Sequence, residues 1–589
     1  MRKLLVLSVV MLVSVLTAMA QVTTSSINGK VVADGEEVIG ATITAKHIPS
    51  GTVYNAVTNV NGRYTIQGMR VGGPYEVTIS YLGFRTEEIK NVQLALGEAS
   101  TFNVTMQEDS KVLGEIVVTG KQTIGGSGAA TNFSQQQIEN APTVNRNIYD
   151  VAKLSPLVNV SKYGGISIAG TNNRYNSFQI DGVVSNDVFG LSSDGTNGSL
   201  AGGNPISMDA IEQVQVVASP FDVRQSGFTG GAINAITKSG TNKFTATAFG
   251  YYTNEDMYGR WNQVTEKTDK LTDQAVKTYG FTVGGPIIKD KLFFFGSVER
   301  KERSYPASYY AGMVGYFMTT ELAEAIAKRY YEVTGIQESW ARPDIEQKST
   351  SIMARLDWNI SNKTKLTLRY QHNRGDKDNS SSGAYSFYFT NSGHKISNRT
   401  NSFVAELTSH LSDQYYNELR VSGNFVRDHR DVPYQGPTLY ITNGEKDYDV
   451  TTNSFTQSGT NSVNIGTGYQ AGINFVDQDI WTIEDNLSIY KGNHTITVGT
   501  HNEFYNMKNG FFTYANGQWN YTGGFTSLFN DTPNLWQWNH ADEAITGTRE
   551  WGAPMKAGQL GFYVQDKWDV NTNLQFTLGL RVDAPVYFK

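Results

Sequence analysis

From about residue 243 onward, apolar and polar positions alternate along the chain. In "SIMARLDWNI", Ile352, Ala354, Leu356 and Trp358 share one side while Met353, Arg355 and Asp357 share the other, the period of two that marks a strand with unlike faces. A short turn near 361–364 leads into "KLTLRYQ", where Leu366, Leu368 and Tyr370 oppose Thr367, Arg369 and Gln371. The same hairpin recurs in "GFYVQDKWDVNTNLQFTLGLRVD": Leu574, Phe576, Leu578, Leu580 and Val582 oppose Gln575, Thr577, Gly579 and Arg581. The pattern predicts eleven strands, starting near 243, 277, 291, 350, 365, 400, 415, 477, 494, 557 and 574. Joins near 287–290, 361–364, 411–414, 490–493 and 569–573 are short and the others long, with room for a further strand pair between 425 and 476. Soluble sandwiches also alternate, but long connections on one side and tight turns on the other predict an outer-membrane barrel.

The N-terminal part alternates over shorter stretches. In "YEVTISYLGF", Tyr75, Val77, Ile79 and Tyr81 oppose Glu76, Thr78 and Ser80; Ala41, Ile43 and Ala45, and Phe102, Val104 and Met106, form similar faces. With Asn61-Gly62 as a hairpin turn, these strands predict a small sandwich over 21–107. Residues 131–240 read as a mixed unit. Ile148, Val151 and Leu154 have helical spacing that stops at Pro156, while "FQIDGVV" and "IEQVQVVASP" are short strands. Within the long loop at 303–348, "TTELAEAIAKRYYEVTG" predicts a lid helix with Thr320 as N-cap, a stripe of Leu322, Ile326, Tyr330 and Val333, and Gly335 as its end. Between sandwich and mixed unit, at 108–130, lies a lone strand signal, Glu115 to Gly120, whose β-branched Ile116, Val117, Val118 and Thr119 have no partner nearby.

Composition narrows the compartment. Residues 1–20 carry Arg2 and Lys3, an apolar run and Ala18-Met19-Ala20, the pattern of an export signal. No later run approaches the length of a spanning helix, so an exported chain is either soluble or crosses as a barrel. The 589 residues include no cysteine, which excludes disulfides, thiolate metal sites and a thiol nucleophile. A net charge of −6 argues against a broad nucleic-acid surface. The eight histidines are scattered without an HExxH pair, and the glycine runs lack the flanking elements of a phosphate cradle. No enzyme activity, metal or cofactor is therefore expected. In the loop at about 506–556, Trp519, Tyr521, Trp536 and Trp538 stand among amides and hydroxyls and are candidates for ligand contact; the competing reading is that they pack the loop or belong to the aromatic girdle.

The order "INGKVVADGEEVIGATITAKHIPSG...TNVNGRYTIQGM...YEVTISYLGF" resembles the carboxypeptidase regulatory-like domain, a transthyretin-like sandwich. Sandwich, lone strand, mixed unit at 131–240 and barrel hairpins at 241–589 together resemble a TonB-dependent outer-membrane receptor, most similar to the Oar-like receptors. The resemblance implies a mainly β fold: a small sandwich, a mixed α/β plug and the N-terminal half of an antiparallel transmembrane barrel. It also implies that Glu115, Ile116, Val117, Val118, Thr119 and Gly120 form a TonB box. Gly170, Asp181, Gly182, Ile211, Glu212, Gly230, Gly231, Asn234 and Lys238 fall on plug motifs, while Ala169 and Gln215 depart from the usual plug pattern, which has arginine and an acid there. Implied partners are TonB with its inner-membrane motor, outer-membrane lipids, and a scarce large solute (siderophore, peptide or oligosaccharide). Alternatives are a SusC-like glycan importer with a surface lipoprotein, and an adhesin or secretion-associated barrel without import. Bacterial single-chain barrels use an even number of strands, so eleven lead to the expectation of a longer receptor truncated after Lys589.

Overall fold

The computed structural model describes residues 23–108, 123–125, 129–143, 145–160, 165–218, 222–262, 267–268, 272–379, 382–452, 454–571 and 574–588. The leader at 1–20 and Glu115 to Gly120 lie outside the described residues.

The N-terminal unit is a sandwich of two sheets. Ser25–Ala33 is central to one, pairing antiparallel with Arg63–Met69 and parallel with Ala99–Thr101 and Val104–Met106. The other runs in the order Val53–Val57, Thr42–His47, Gly72–Ser80, Glu87–Leu94. Alternation sends Ile27, Val31, Ile43, Tyr75, Val77 and Ile79 into a shared core where each is fully buried; a buried side chain of this size contributes about 1.5–3 kcal/mol. Tyr81 lies past the strand end and is exposed. Asn61-Gly62 is a turn, with Gly62 at φ +68°, but not a hairpin: Val53–Val57 and Arg63–Met69 belong to opposite sheets, so the turn carries the chain across the core. Its sequence resembles a hairpin signal because the φ requirement is local, whereas strand pairing is decided by which face must be covered.

The plug is built on a five-stranded sheet in the order Ala129–Ser134, Ile211–Ala218, Gly231–Thr237, Ser177–Ile180, Val183–Val184. Gly231–Thr237 is buried along its whole length, as an inner strand covered on both faces must be. The predicted helix is shorter than its spacing suggests. It covers Ile148–Ala152, capped by the Asn147 side chain on the Asp150 N–H (3.0 Å), and Leu154 lies beyond it, exposed.

Among the described residues, eleven antiparallel strands form the wall in sequence order, from Thr245–Asn254 to Gln575–Phe588, and these two strands are the edges of an open sheet. Turns at 289–291, 360–363, 413–414, 492–493 and 570–574 alternate with connections at 255–274, 307–343, 380–393, 432–472 and 513–552. The connections are shorter than the pattern implies because strands such as His394–Ser412 and Ile473–Lys491 reach 19 residues, about twice the 9–11 needed to cross a bilayer. The predicted outward face is the exposed one: Leu578, Leu580 and Val582 are 60–67% exposed, whereas Met353, Arg369 and Gln371 are buried against the plug.

The pair expected between 425 and 476 exists, as Thr438–Asp449 and Ser454–Ile465, but it does not enter the wall. It joins Ser386–Tyr388, Gln518–Tyr521 and Leu535–Gln537 in a separate five-stranded sheet built from three long connections. The helix Thr320–Thr334 packs on this cap through Leu322, Ile326 and Tyr330. Thr319 rather than Thr320 is its N-cap, accepting from the Leu322 N–H (3.2 Å), because Thr320 already has helical backbone. Gly335 ends it at φ +73°, and Val333 points outward.

The sandwich rests on the short-turn rim, opposite the cap. Arg63 pairs with Asp569 (3.2 Å), Asn59 donates to the Gly492 carbonyl (3.0 Å) and Asn61 to Asn493 (3.1 Å), while Asn359 donates to Thr52 (2.9 Å).

Candidate functional site: the plug and its seat in the barrel

The plug hairpin between Ser177–Ile180 and Val183–Val184 turns on two residues, Asp181 (φ +46°) and Gly182 (φ +75°). Two consecutive left-handed residues make the tight turn that Asp-Gly favours. Turning so sharply leaves the Asp181 carboxylate free to face two partners. Within the plug it accepts from the Thr237 amide (2.9 Å) and hydroxyl (2.8 Å), tying the hairpin to Gly231–Thr237. From the wall, Arg369 Nε lies 3.1 Å away and Arg355 Nη1 3.5 Å away. Arg355 also donates to the Thr237 carbonyl (3.0 Å) and pairs with Asp357 (2.9 Å), while Arg369 reaches the Ile180 carbonyl (3.3 Å).

Gly182 meets a second demand. A Cβ there would run into the guanidinium of Arg420. Arg420 is held by Glu406 (2.6 Å), Glu418 (3.0 Å) and Glu484 (3.0 Å), all from the wall, and donates to the Thr23 hydroxyl (2.9 Å). His501 lies between Glu484 (2.5 Å) and Glu503 (2.7 Å), extending this charged floor along the lumen.

Around the hairpin the plug is seated by polar contacts. Glu299 accepts from Ser207 (2.7 Å), Asn373 donates to the Pro205 carbonyl (2.8 Å), Gln347 donates to Gly202 (3.2 Å), and Lys301 donates to Asn145 (2.6 Å). Near the open edge, Arg581 donates to the Val223 carbonyl (3.0 Å) and Gln565 accepts from its amide (3.1 Å). The adjacent Asp222 is half-buried, and loss of water would raise its carboxyl, but paired Arg224 (2.5 Å) overrides this and holds it well below the usual carboxylate range.

The remaining predicted plug positions have diverse surroundings. Gly170 follows Ala169 in a left-handed turn, both at positive φ. Ile211 begins a buried strand, and Glu212 approaches Gly72 of the sandwich. Gly230 and Gly231 lie where a side chain would collide with Asn176 and Ile168, respectively. Asn234 donates to Gln215 (3.3 Å), and Lys238 pairs with Glu139 (3.3 Å). Sequence reasoning missed Arg420, Thr237 and the acids around Arg420. For Arg420 and its acids the signal was the inward-facing charge of the wall strands, which alternation registers without naming its partner; Thr237, on a plug strand, carried no such signal.

Of the aromatic candidates, Tyr521 is 2% exposed and belongs to the cap core, so it is unavailable to a ligand. Its ring packs in the core that the cap sheet shares with the helix Thr320–Thr334. Trp519 packs partly against the same core. Trp536 and Trp538 are 50% and 41% exposed, and the three indoles run in a row with ring centres 6.1 and 6.0 Å apart.

The profile of the Outer membrane beta barrel domain matches residues 236–322 and 318–588, that of the TonB-dependent Receptor Plug Domain 123–233, and that of the Carboxypeptidase regulatory-like domain 26–107. The chain belongs to the TonB-dependent outer-membrane receptors. It is 28% identical over 256 residues to the TonB-dependent transporter Oar of Myxococcus xanthus, covering 41% of this chain and 23% of that protein. It is 24% identical over 201 residues to the probable TonB-dependent siderophore receptor PirA of Acinetobacter baumannii, covering 32% of this chain and 25% of PirA. Among solved structures, the outer membrane transporter YddB from Escherichia coli shares the fold, with a TM-score of 0.53 and 15% identity over 79% of this chain and 57% of YddB. The receptor thus spans less than two thirds of the length of each of these relatives. Its place is the outer membrane, with the sandwich on the periplasmic side.

Proposed function

We propose that the receptor imports a scarce, large solute through a barrel closed by the plug, and that TonB supplies the work by pairing with Glu115 to Gly120. The observation that carries this reading is the seat of the Asp181-Gly182 hairpin. It is made of ion pairs and hydrogen bonds to lumenal side chains, and water can replace each of them when the plug moves. An extended segment in a tether adds to the sheet edge of another protein through main-chain hydrogen bonds, with little demand on side-chain identity. Val117→Pro removes one such donor and restricts the backbone, so a TonB C-terminal domain that captures the unaltered receptor is expected to lose it. Equal capture of both proteins would sink the TonB assignment. Deleting 115–120 is expected to abolish energy-dependent uptake, whereas an adhesin would keep its surface activity. The exposed indoles of Trp536 and Trp538, beside partly buried Trp519, support first contact of the solute at the cap. The reading assigns the receptor no catalytic role.

A further inference from the structure

Gln213 and Gln215 neighbour one another on the same face of Ile211–Ala218, and both are buried. Both side chains reach out of the plug sheet to the sandwich. Gln213 Oε1 accepts from the Leu96 amide (2.9 Å) while its Nε2 donates to the Leu94 carbonyl (2.9 Å). Gln215 Nε2 donates to the Leu96 carbonyl (2.7 Å), and its oxygen is held by Asn234 Nδ2 (3.3 Å). Two side-chain amides thus imitate a paired strand along the sandwich backbone. Glutamine is needed because each nitrogen must donate to a carbonyl; a carboxylate at 215 would satisfy Asn234 and leave the Leu96 carbonyl unpaired.

The same stretch of sandwich holds other parts of the plug. Val71 and Leu96 close an apolar contact with Ile236. Asn132, on the edge strand Ala129–Ser134, donates to Glu98 (2.5 Å). The short strand Thr123–Gly125 pairs antiparallel with Ala99–Thr101. Residues 94–101 therefore grip the chain at 123–125, 132 and 213–215, all of which follow residues 115–120. Beside the buried hydrogen bond from Arg420 to Thr23 (2.9 Å), the sandwich meets the barrel rim through partly exposed polar pairs such as Arg63 with Asp569. Such pairs exchange readily with water, whereas separating the glutamines from the sandwich strands buried donors and acceptors.

We propose that Gln213 and Gln215 are positioning residues that join sandwich and plug into one body, so that a pull at 115–120 draws both neighbouring strands of the plug sheet together. This rests on the reading of 115–120 as the point where force is applied. Without the joint, the load falls on Ala129–Ser134 alone. Among the described residues that strand is at the edge of its sheet, paired only with Ile211–Ala218, and can be peeled one pair at a time. With the joint, force entering the sandwich also reaches Ile211–Ala218, and the rim contacts yield first.

The test is force spectroscopy on the full chain in a bilayer, pulled through a short peptide tag inserted after Val118. The unaltered receptor is expected to give a single rupture in which sandwich and plug leave together. In Gln213→Glu/Gln215→Glu that rupture is expected to split. A weaker first event should lengthen the chain by the stretch from 118 to 134, about 50 Å when extended. Because the chain has no native cysteine, bridging Leu96→Cys to Ile236→Cys with a bis-maleimide on the glutamate background should restore the single rupture, which a merely misfolded variant would not do. An unsplit rupture in the variant, an early short event in the unaltered receptor, or failure of the bridge to restore it would overturn the joint. The force is applied without TonB, so loss of the TonB capture result would overturn the proposed function and leave this inference standing.

Discussion

The sandwich core and the plug seat are both buried, yet they are made of opposite materials. In the sandwich, Ile27, Ile43, Val77 and their neighbours pack into one hydrophobic cluster and gain by exclusion of water. At the seat, Asp181 meets Arg355 and Arg369, and Gly182 lies on Arg420 with its three glutamates. Taking charges from water costs nearly what their pairing returns. A buried ion-pair seat therefore fixes position strongly while adding little net stability, which suits a part that leaves and returns; an apolar core suits one that stays folded throughout.

Breaking one side of an ion pair should have the largest effect. Asp181→Leu leaves Arg369 buried without its carboxylate, and a cost of about 3–5 kcal/mol to plug seating is expected, read as a lower urea midpoint for protease access to the plug. Asp181→Leu/Arg369→Leu should recover much of that loss, since replacing both partners removes the stranded charge. A double variant as weak as the single would mean that the seat depends on geometry rather than charge.

On the other side of the comparison, Ile43→Ala should cost the sandwich about 2–5 kcal/mol by leaving a cavity, with plug protection unchanged. Matching losses in both units would contradict their different construction. Gly182→Ala tests the seat without altering charge. A left-handed site and a guanidinium at the added methyl together predict about 1–3 kcal/mol, visible in the same protease assay.

A gentler probe is pH. His47 is buried in the sandwich, with Nδ1 2.7 Å from the Ser50 hydroxyl, and burial, helped by Arg70 and Lys365, pushes its pKa down to about 2. Unfolding returns it to the ordinary 6.5, so the unfolded chain binds the proton more readily. Its contribution is fully present above pH 6.5 and is lost as pH falls toward 2, at about 1.4 kcal/mol per pH unit. His47→Gln should flatten the melting temperature of the sandwich between pH 6 and 4, and an unchanged slope would remove His47 as the cause. The smallest structural effect belongs to Trp536→Ala, expected to change stability by less than about 0.5 kcal/mol while weakening solute capture at the cap.

Much of this organisation was legible because it is local. Alternation along "KLTLRYQ" identified Arg369 and Gln371 as facing inward, whereas "FQIDGVV", which reads as one short strand, is broken into a hairpin by the left-handed pair Asp181-Gly182. The segment Thr438–Asp449 with Ser454–Ile465 shows where locality fails. Its hairpin resembles a barrel hairpin in sequence, yet it covers a helix above the wall. Tyr521 and Trp536 were indistinguishable as aromatic loop residues until one fell on an interior strand and the other on an edge. Gln215 was visible only as a departure from the usual plug pattern; its reason lies in Leu96, far away along the chain.

The sequence by itself determined the wall strands and their two faces, because side-chain direction in a strand depends on adjacent residues. Only the tertiary structure decided that Arg355 and Arg369 answer Asp181, that three loops fold into one cap, and that two glutamines bind the sandwich. Ion pairs and amide contacts form between whichever side chains the chain brings within about 3 Å, and no local pattern carries that distance.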